Sequence, residues 1–245
     1  MAEPLRNYQT RANAGVDASI DQGLRAYMLK VYNLMALGLV ITGVAAFGIS
    51  QMAISNGQLT QLGVALYQSP LRWVVMLAPL GMVFFLSARV NSMSVSGAQI
   101  SFGVFAALMG LSLSSIFLVF TGESIVRVFF ITAASFGALS LYGYTTKRDL
   151  TAIGSFLVMG VFGLLLAMVV NIFLQSSALQ FAISAIGVLV FAGLTAYDTQ
   201  KIKEMYAESD DLVVSGRKAI MGALTLYLDF INLFTFLLQL FGNRR

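Results

Sequence analysis

The sequence predicts an all-α polytopic membrane protein with seven transmembrane helices, of which the last lies at the centre of the bundle. Of its 245 residues, 58% are hydrophobic and only 11% are charged, whereas a soluble domain carries about 25% charged residues. Most of the protein surface must therefore face hydrocarbon. The apolar residues are grouped in runs near the length of about 20 that crosses a bilayer, and one side of the last run is polar.

Seven segments are apolar enough to be spans, and the fifth and sixth come from one uncharged stretch, Leu150–Tyr197. That stretch is too long for one helix, and the polar break at Gln175, Ser176 and Ser177 divides it. The second span is short, but the flanking Arg72 and Arg89 can snorkel to the interfaces. The predicted spans are Val31–Ile54, Trp73–Ala88, Ala98–Phe120, Val128–Thr146, Thr151–Leu174, Ala178–Ile202 and a last one from Lys218 to Phe241.

The distribution of lysine and arginine predicts the orientation. If the amino terminus lies inside, only Arg72, Arg127, Arg244 and Arg245 lie outside, and the other eleven basic residues lie inside. The positive-inside rule therefore predicts a cytoplasmic amino terminus and an external carboxyl terminus. In this arrangement residues 1–25 form a cytoplasmic polar tail and residues 26–245 form a single transmembrane domain.

The chain has no cysteine and no histidine, which excludes disulfides, thiolate zinc sites and imidazole metal sites. Any sensing of pH must therefore use carboxylates. The basic residues flank apolar runs, as membrane anchors do, so lipid rather than nucleic acid is the expected partner; protein partners cannot be read from the sequence. Because there is no room for a separate catalytic domain, the function must lie within the helical bundle or at its rim. We expect no enzymatic activity and no tightly bound cofactor.

Small residues form a seam along the third span. Gly103, Ala107, Gly110 and Ser114 follow one another at helical spacings of four, three and four. Small side chains let membrane helices approach closely, so this seam predicts a close contact with another helix.

One face of the seventh span is polar, while its other faces are apolar. A polar stripe inside a membrane faces protein or a water-filled cavity, which places this helix at the centre of the bundle. The stripe consists of Gly222, Thr225, Asp229, Asn232, Phe236 and Gln239, at alternating spacings of three and four.

Asp229 and Asp198 are the candidate functional carboxylates. A charged aspartate at the bilayer centre costs about 2.5–3.5 kcal/mol, so Asp229 is protonated, paired or in a cavity; a neutral Asp229 with a purely structural hydrogen bond is one reading. Asp198 lies near the cytoplasmic end of the sixth span, where it either pairs with Lys201 or meets Asp229. Two carboxylates in contact would share a proton and form a pH-sensitive lock. When ionised, they would offer oxygen ligands for weak calcium binding.

Arg89 ends the second span on the same side as Asp198. It is either an interfacial anchor or the partner in a salt bridge that ties the second helix to the sixth. In the second case Arg89 acts as a latch, because protonation of Asp198 would release the helix.

Two segments carry a family resemblance. They resemble the signature of the Bax inhibitor 1 (transmembrane Bax inhibitor motif) family, and in particular its bacterial members. The resemblance implies a seven-helix bundle with a central last helix, and a proton-sensitive calcium leak in a bacterial inner membrane. It also implies that Asp198 and Asp229 form the sensor and that Arg89 is their partner. The segments are Ala196-Tyr197-Asp198-Thr199-Gln200-Lys201-Ile202 and Leu224-Thr225-Leu226-Tyr227-Leu228-Asp229-Phe230-Ile231-Asn232-Leu233-Phe234.

Other functions remain open at this point. An intramembrane aspartyl protease also uses two aspartates on consecutive helices, but bulky Leu226, Tyr227 and Leu228 precede Asp229 in place of a glycine motif. A retinal protein needs a lysine in the middle of the last span, and there is none. A proton-coupled transporter would use buried carboxylates too, and a regulator that transports nothing is a further alternative.

Overall fold

The protein is almost entirely helical. A computed structural model describes the backbone of residues 3–55 and 57–245, and the side chains of residues 22–55 and 57–245. A short hairpin, β1 and β2, lies between the first two helices, and a 3-10 turn at Val90–Ser92 follows the third. In chain order the elements are α1 (Glu3–Ala53), β1 (Ile54–Ser55), β2 (Gln58–Leu59), α2 (Gln61–Tyr67), α3 (Leu71–Arg89), α4 (Val95–Leu113), α5 (Ile116–Val119), α6 (Gly122–Thr145), α7 (Thr151–Leu174), α8 (Ser177–Glu204) and α9 (Leu212–Phe241).

Seven segments of the described chain are long and apolar enough to cross a membrane, which confirms the predicted fold class. The fifth span has the predicted bounds. Of the predicted tail, residues 1–25, residues 1–21 lie outside the part whose side chains are described, so the tail stays a prediction. The observed spans are Gln22–Ala53, Leu71–Ser92, Val95–Val119, Gly122–Thr145, Thr151–Leu174, Ser177–Glu204 and Leu212–Phe241.

The last helix begins six residues earlier than the predicted Lys218. Asp211 caps it by accepting hydrogen bonds from the backbone N–H groups of Val213 (2.8 Å) and Val214 (2.7 Å). Lys218 lies inside the helix and forms an ion pair of 2.6 Å with Asp210. The prediction was wrong because charged residues end a hydrophobic run but do not end a helix that continues into the interface.

The break between the fifth and sixth spans lies where the polar residues predicted it. Gln175 adopts a left-handed conformation with φ of 50° and terminates α7. Ser176 then caps α8 by accepting a hydrogen bond from the backbone N–H of Leu179 (3.3 Å).

Helix α9 is the central helix, as predicted. In its most apolar stretch 72% of the residues are buried, against 11% in α7, and it contacts α1, α4, α6 and α8. The hydroxyl of its fully buried Tyr227 lies 2.6 Å from Thr42 Oγ1 on α1. Because Thr42 donates its own proton to the Ala106 carbonyl (2.9 Å) on α4, Tyr227 is the donor to Thr42. This hydrogen-bond chain therefore links α9, α1 and α4.

The predicted small-residue seam on α4 packs against α1. A Cβ on Gly110 would lie 2.6 Å from both the Thr42 carbonyl oxygen and the Ala45 Cβ. Ser114 is fully buried at the end of the seam, where its hydroxyl lies 2.8 Å from that of Tyr67. The close contact is confirmed, and it is the reason that α4 lies beside α1.

Consecutive spans run in opposite directions, so the basic residues collect at one end of the bundle. We call this the basic end; it comprises the starts of the spans in α1, α4, α7 and α9 and the ends of α3, α6 and α8. The described side chains Arg25, Lys30, Arg89, Lys147, Arg148, Lys201, Lys203, Arg217 and Lys218 belong to it.

Candidate functional site

The structure brings Asp198 of α8 and Asp229 of α9 together. Their carboxyl groups lie within hydrogen-bonding reach of each other. Asp198 is half-buried, whereas Asp229 is only 4% exposed. The Oδ2 atom of Asp229 is buried, and no donor group among the described residues reaches it. The two side chains therefore form a compact carboxyl pair between α8 and α9.

No cation of the described residues forms an ion pair with either carboxyl group. The ion pair found in the described part of the chain joins Lys218 of α9 to Asp210, which lies in the connection before α9. Lys201 follows Asp198 on α8 and lies close enough to interact with it electrostatically. Its ammonium lies over the ring of Tyr197, 5.7 Å from the centroid, and forms no salt bridge with Asp198. Two ionised carboxylates in contact repel each other strongly, and the contact is therefore stable only when a proton lies between them.

The register between α8 and α9 brings the two aspartates together. Asp198 comes six residues before the end of α8 at Glu204, a distance of about 9 Å along the helix. Gly222 of α9 packs against Ile202 of α8, and Phe236 of α9 packs against Gly187 of α8. In this antiparallel register Asp229 reaches Asp198.

The residues around Asp198 fix the position of α8 against its neighbours. Gly143 of α6 has no room for a side chain, because a Cβ there would collide with the backbone of Ala196. Gly154 of α7 packs in the same way against the ring of Tyr197. Close approach of this kind is how small residues join membrane helices. The end of α8 that carries Asp198 therefore packs closely against both α6 and α7.

A chain of hydroxyl groups reaches the turn that carries Asp198. Tyr32 of α1 lies 2.7 Å from Ser140 of α6, and Ser140 lies 2.9 Å from Thr199 of α8. Thr199 donates its proton to the Thr195 carbonyl (2.7 Å), so Ser140 donates to Thr199 and Tyr32 donates to Ser140. Three helices are thereby joined beside the carboxyl pair.

Gln200 fastens the connection between α6 and α7 to α8. Its Oε1 accepts a hydrogen bond from the backbone N–H of Leu150 (2.9 Å), and its Nε2 donates to the Arg148 carbonyl (2.8 Å). A buried amide that satisfies two backbone groups replaces the water that would otherwise solvate this turn.

The structure does not bring Arg89 to the pair. Arg89 is exposed at the end of α3, and the ion pair with Asp198 is not formed among the described residues. Helix α3 packs on α4, and a cleft of about 300 Å³, lined by Pro79 and Asn232 among others, separates it from α9. The role of Arg89 as a latch stays a prediction.

The carboxyl pair is a poor resident calcium site. Calcium prefers six to eight oxygen ligands, and no group of three or more Asp, Glu, His or Cys side chains able to hold a metal occurs in the described residues. Asp198 and Asp229 alone would hold a hydrated ion only briefly.

Sequence reasoning missed Tyr32, Ser140 and Gln200. Gln200 stands inside the motif already recognised, and its place in that motif was the available signal. Tyr32 and Ser140 lie in spans without a distinctive pattern, and only the packing shows that they meet.

The comparisons with known proteins agree with this architecture. The family model described as inhibitor of apoptosis-promoting Bax1 matches residues 24–245. The chain is 48% identical over 237 residues to the protein RP147 of Rickettsia prowazekii, a match that covers 97% of this chain and 98% of the relative. It is 47% identical to the inner membrane protein YbhL of Escherichia coli, over 91% of this chain and 94% of that protein. YrjE of Lactococcus lactis is 39% identical, over 90% and 92% respectively.

The family match begins two residues after the start of the first span and continues to the last residue. All seven spans, and with them the two segments that meet at the carboxyl pair, therefore lie within the matched region. The chain is a multi-pass membrane protein, and it belongs to the Bax inhibitor 1 family.

Proposed function

We propose that this protein is a pH-sensitive calcium leak channel of a bacterial inner membrane, with Asp198 and Asp229 as its proton sensor. The observation that supports this most strongly is the contact of two carboxyl groups, one of them 4% exposed, neither of which forms an ion pair with the described residues. Such a contact depends on a proton, so the packing of α8 against α9 depends on pH.

The energy available to the sensor is sufficient for gating. Two unit charges 4 Å apart repel each other by about 4 kcal/mol at an effective dielectric constant of 20. That changes the ratio of closed to separated helices by roughly a thousandfold, because 1.36 kcal/mol corresponds to a factor of ten. Loss of the shared proton therefore favours separation of α8 from α9, and regaining it closes the contact.

The ionised carboxylates suit a divalent cation that passes through without staying. Hard oxygen ligands attract calcium, whereas a set of only two keeps the affinity low and leaves the ion partly hydrated. Low affinity is what a leak requires, because an ion that enters the site must also leave it.

Arg89 is the proposed latch of this mechanism. The cleft between α3 and α9 leaves space for α3 to approach the centre of the bundle. After such a movement an ionised Asp198 would attract Arg89, and protonation of Asp198 would release it.

We further propose that the basic end faces the cytoplasm. The positive-inside rule favours this orientation, and a relative named as an inner membrane protein supports the choice of membrane. Because the number of spans is odd, the carboxyl terminus then lies outside.

Calcium flux into proteoliposomes tests the proposal. The full chain, reconstituted with a trapped calcium indicator, is compared between about pH 5 and 8 with the Asp198→Asn and Asp229→Asn variants. We expect a pH-dependent leak in the native protein and a leak that no longer depends on pH in either variant. An unchanged pH profile in both variants would contradict the sensor assignment.

Asp149→Asn is the matched control. Asp149 is also an aspartate near the basic end, but it is exposed in the connection between α6 and α7. Hydrogen bonds from the side chain and the backbone N–H of Thr151 lower the pKa of Asp149, so this carboxylate stays ionised throughout the tested range. Its substitution should leave the pH profile of the leak as it is.

The same preparation separates the alternative functions. A proton-coupled transporter would show saturable flux with a fixed ratio of protons to substrate, whereas a leak lets calcium equilibrate passively. A regulator that transports nothing would show no flux above that of empty vesicles. Cleavage of a transmembrane substrate that is lost in Asp229→Ala would instead indicate a protease.

A further inference from the structure

A deep crevice separates α1 from α6 on the outside of the bundle. It has a volume of about 640 Å³, within the range of roughly 300–1,000 Å³ that is typical of pockets for small molecules. Its walls are mostly apolar side chains, such as Met28, Met35 and Phe136, and it opens towards the lipid. At its floor the Tyr32 hydroxyl meets Ser140.

The crevice has the length of one membrane leaflet. Along α1 it extends from Arg25 to Ala36, eleven residues or about 16 Å, which is half of the roughly 30 Å hydrocarbon core. On α6 it extends from Tyr144 at the basic end to Phe136. Its mouth therefore lies at the interface of the basic end, and its apolar part reaches the middle of the membrane.

The mouth of the crevice is cationic. Arg25 is exposed at its rim, and Lys203 donates a hydrogen bond to the Tyr144 carbonyl (2.8 Å) with its ammonium 5.6 Å from the centre of the Tyr144 ring. Neither cation forms an ion pair in the part of the chain that the structure describes. The rim thus offers two positive charges to a ligand whose head lies at the interface.

We propose that this crevice binds one anionic phospholipid, with an acyl chain between α1 and α6 and the phosphate at Arg25. An apolar pocket open to the bilayer is more favourably filled by an acyl chain than by water. Cationic residues at the membrane surface attract anionic headgroups by about 1 kcal/mol each, which corresponds to roughly fivefold enrichment. The acyl chain then passes the Tyr32–Ser140 hydrogen bond about halfway along the crevice, so that an occupied crevice supports the junction of α1, α6 and α8.

Quenching of a single tryptophan by brominated lipid measures occupancy. The chain has one tryptophan, Trp73, which lies at the end opposite the crevice and is replaced by Phe. Leu141 lines the crevice and is 62% exposed, so Leu141→Trp reports on the site. Leu165→Trp on α7, where Leu165 is 51% exposed, reports on ordinary boundary lipid. Vesicles of phosphatidylcholine contain brominated phosphatidylglycerol or brominated phosphatidylcholine at the same mole fraction.

The site predicts stronger quenching of Leu141→Trp by the brominated phosphatidylglycerol and equal quenching of Leu165→Trp by the two lipids. Arg25→Ala should lower the preference for phosphatidylglycerol over phosphatidylcholine about fivefold, and Arg25→Lys should keep this preference. Gly137→Leu should also lower it, because Gly137 lines the crevice and a Cβ there meets no atom within 4 Å, so the new side chain fills the space without a clash. Gly163→Leu on α7, which is equally free of contacts, is the control that keeps the preference.

Equal quenching of Leu141→Trp by both lipids would overturn the proposal. A preference that persists in both Arg25→Ala and Gly137→Leu would overturn it as well, because it would come from the surface charge of the bundle rather than from the crevice. Neither result depends on calcium flux, so this test stands or falls independently of the channel function.

Discussion

Replacing Tyr227 with phenylalanine removes a single hydroxyl from the contact that holds the central helix. The ring is fully buried and packs with its edge against Phe102 and Phe105, so the substitution leaves the packing in place. The hydroxyl donates to Thr42 over 2.6 Å. Interhelical hydrogen bonds in membrane proteins contribute about 0.6 kcal/mol on average and up to about 1.7 kcal/mol. Because this bond is short and buried, we expect Tyr227→Phe to lower the free energy of unfolding by about 1 kcal/mol.

The partner substitution should cost more. Thr42→Val keeps the shape of the side chain but leaves the Tyr227 hydroxyl buried without an acceptor, which costs about 1–3 kcal/mol. In the Thr42→Val background, Tyr227→Phe removes that unpaired hydroxyl. There it should cost nothing or restore stability, so the two substitutions are coupled.

Free energies of unfolding in mixed detergent micelles, measured for both single variants and the double variant, give the coupling energy directly. Tyr142→Phe is the control, since Tyr142 is 48% exposed on α6 and a surface change should alter stability by less than about 0.5 kcal/mol. If the free-energy changes of the two single substitutions add up to that of the double variant, the reasoning is refuted, because additivity is expected only of distant and independent sites.

Two further predictions concern the surroundings of Asp198. Gly143→Leu should destabilise the bundle severely, since its Cβ would collide with the Ala196 backbone. Thermal unfolding measures the effect, with Gly163→Leu as the control because a side chain at Gly163 has open space. Equal melting temperatures of the two variants would contradict the prediction. Gln200→Ala should loosen the connection 146–150 by removing two backbone hydrogen bonds. Trypsin should then cleave this connection faster than in the native protein, and an unchanged cleavage rate would show that Gln200 does not hold it.

Hydropathy predicted the spans because length and apolar character are sufficient for that purpose. The fifth span was found with its observed bounds, since polar residues and a left-handed Gln175 coincide at its end. The start of α9 was placed too late, at Lys218, because a helix cap depends on the local hydrogen bonds of Asp211 and not on the end of the apolar run.

The candidate site was predicted in part. The polar stripe identified Asp229 and the central position of α9, since a buried polar face needs a protein neighbour in a membrane. The stripe could not show that its residues face different neighbours: Gln239 accepts hydrogen bonds from Gln180 and Ser184 of α8, whereas Asn232 lines the cleft beside α3.

The meeting of Asp198 with Asp229 depends on the register between α8 and α9. Counting residues along single helices gives no such register. The separation of Arg89 from Asp198 and the crevice between α1 and α6 depend on how distant helices pack, which leaves no local signal in the sequence.

Infrared difference spectroscopy across pH tests most directly whether Asp198 and Asp229 share a proton. The native protein should show the carbonyl band of a protonated carboxyl group that disappears as the pH rises, and the pH at which it disappears should change in both Asp198→Asn and Asp229→Asn but stay the same in Asp149→Asn. An unchanged pH of disappearance in the first two variants, or a native protein without such a band at any pH, would contradict the account.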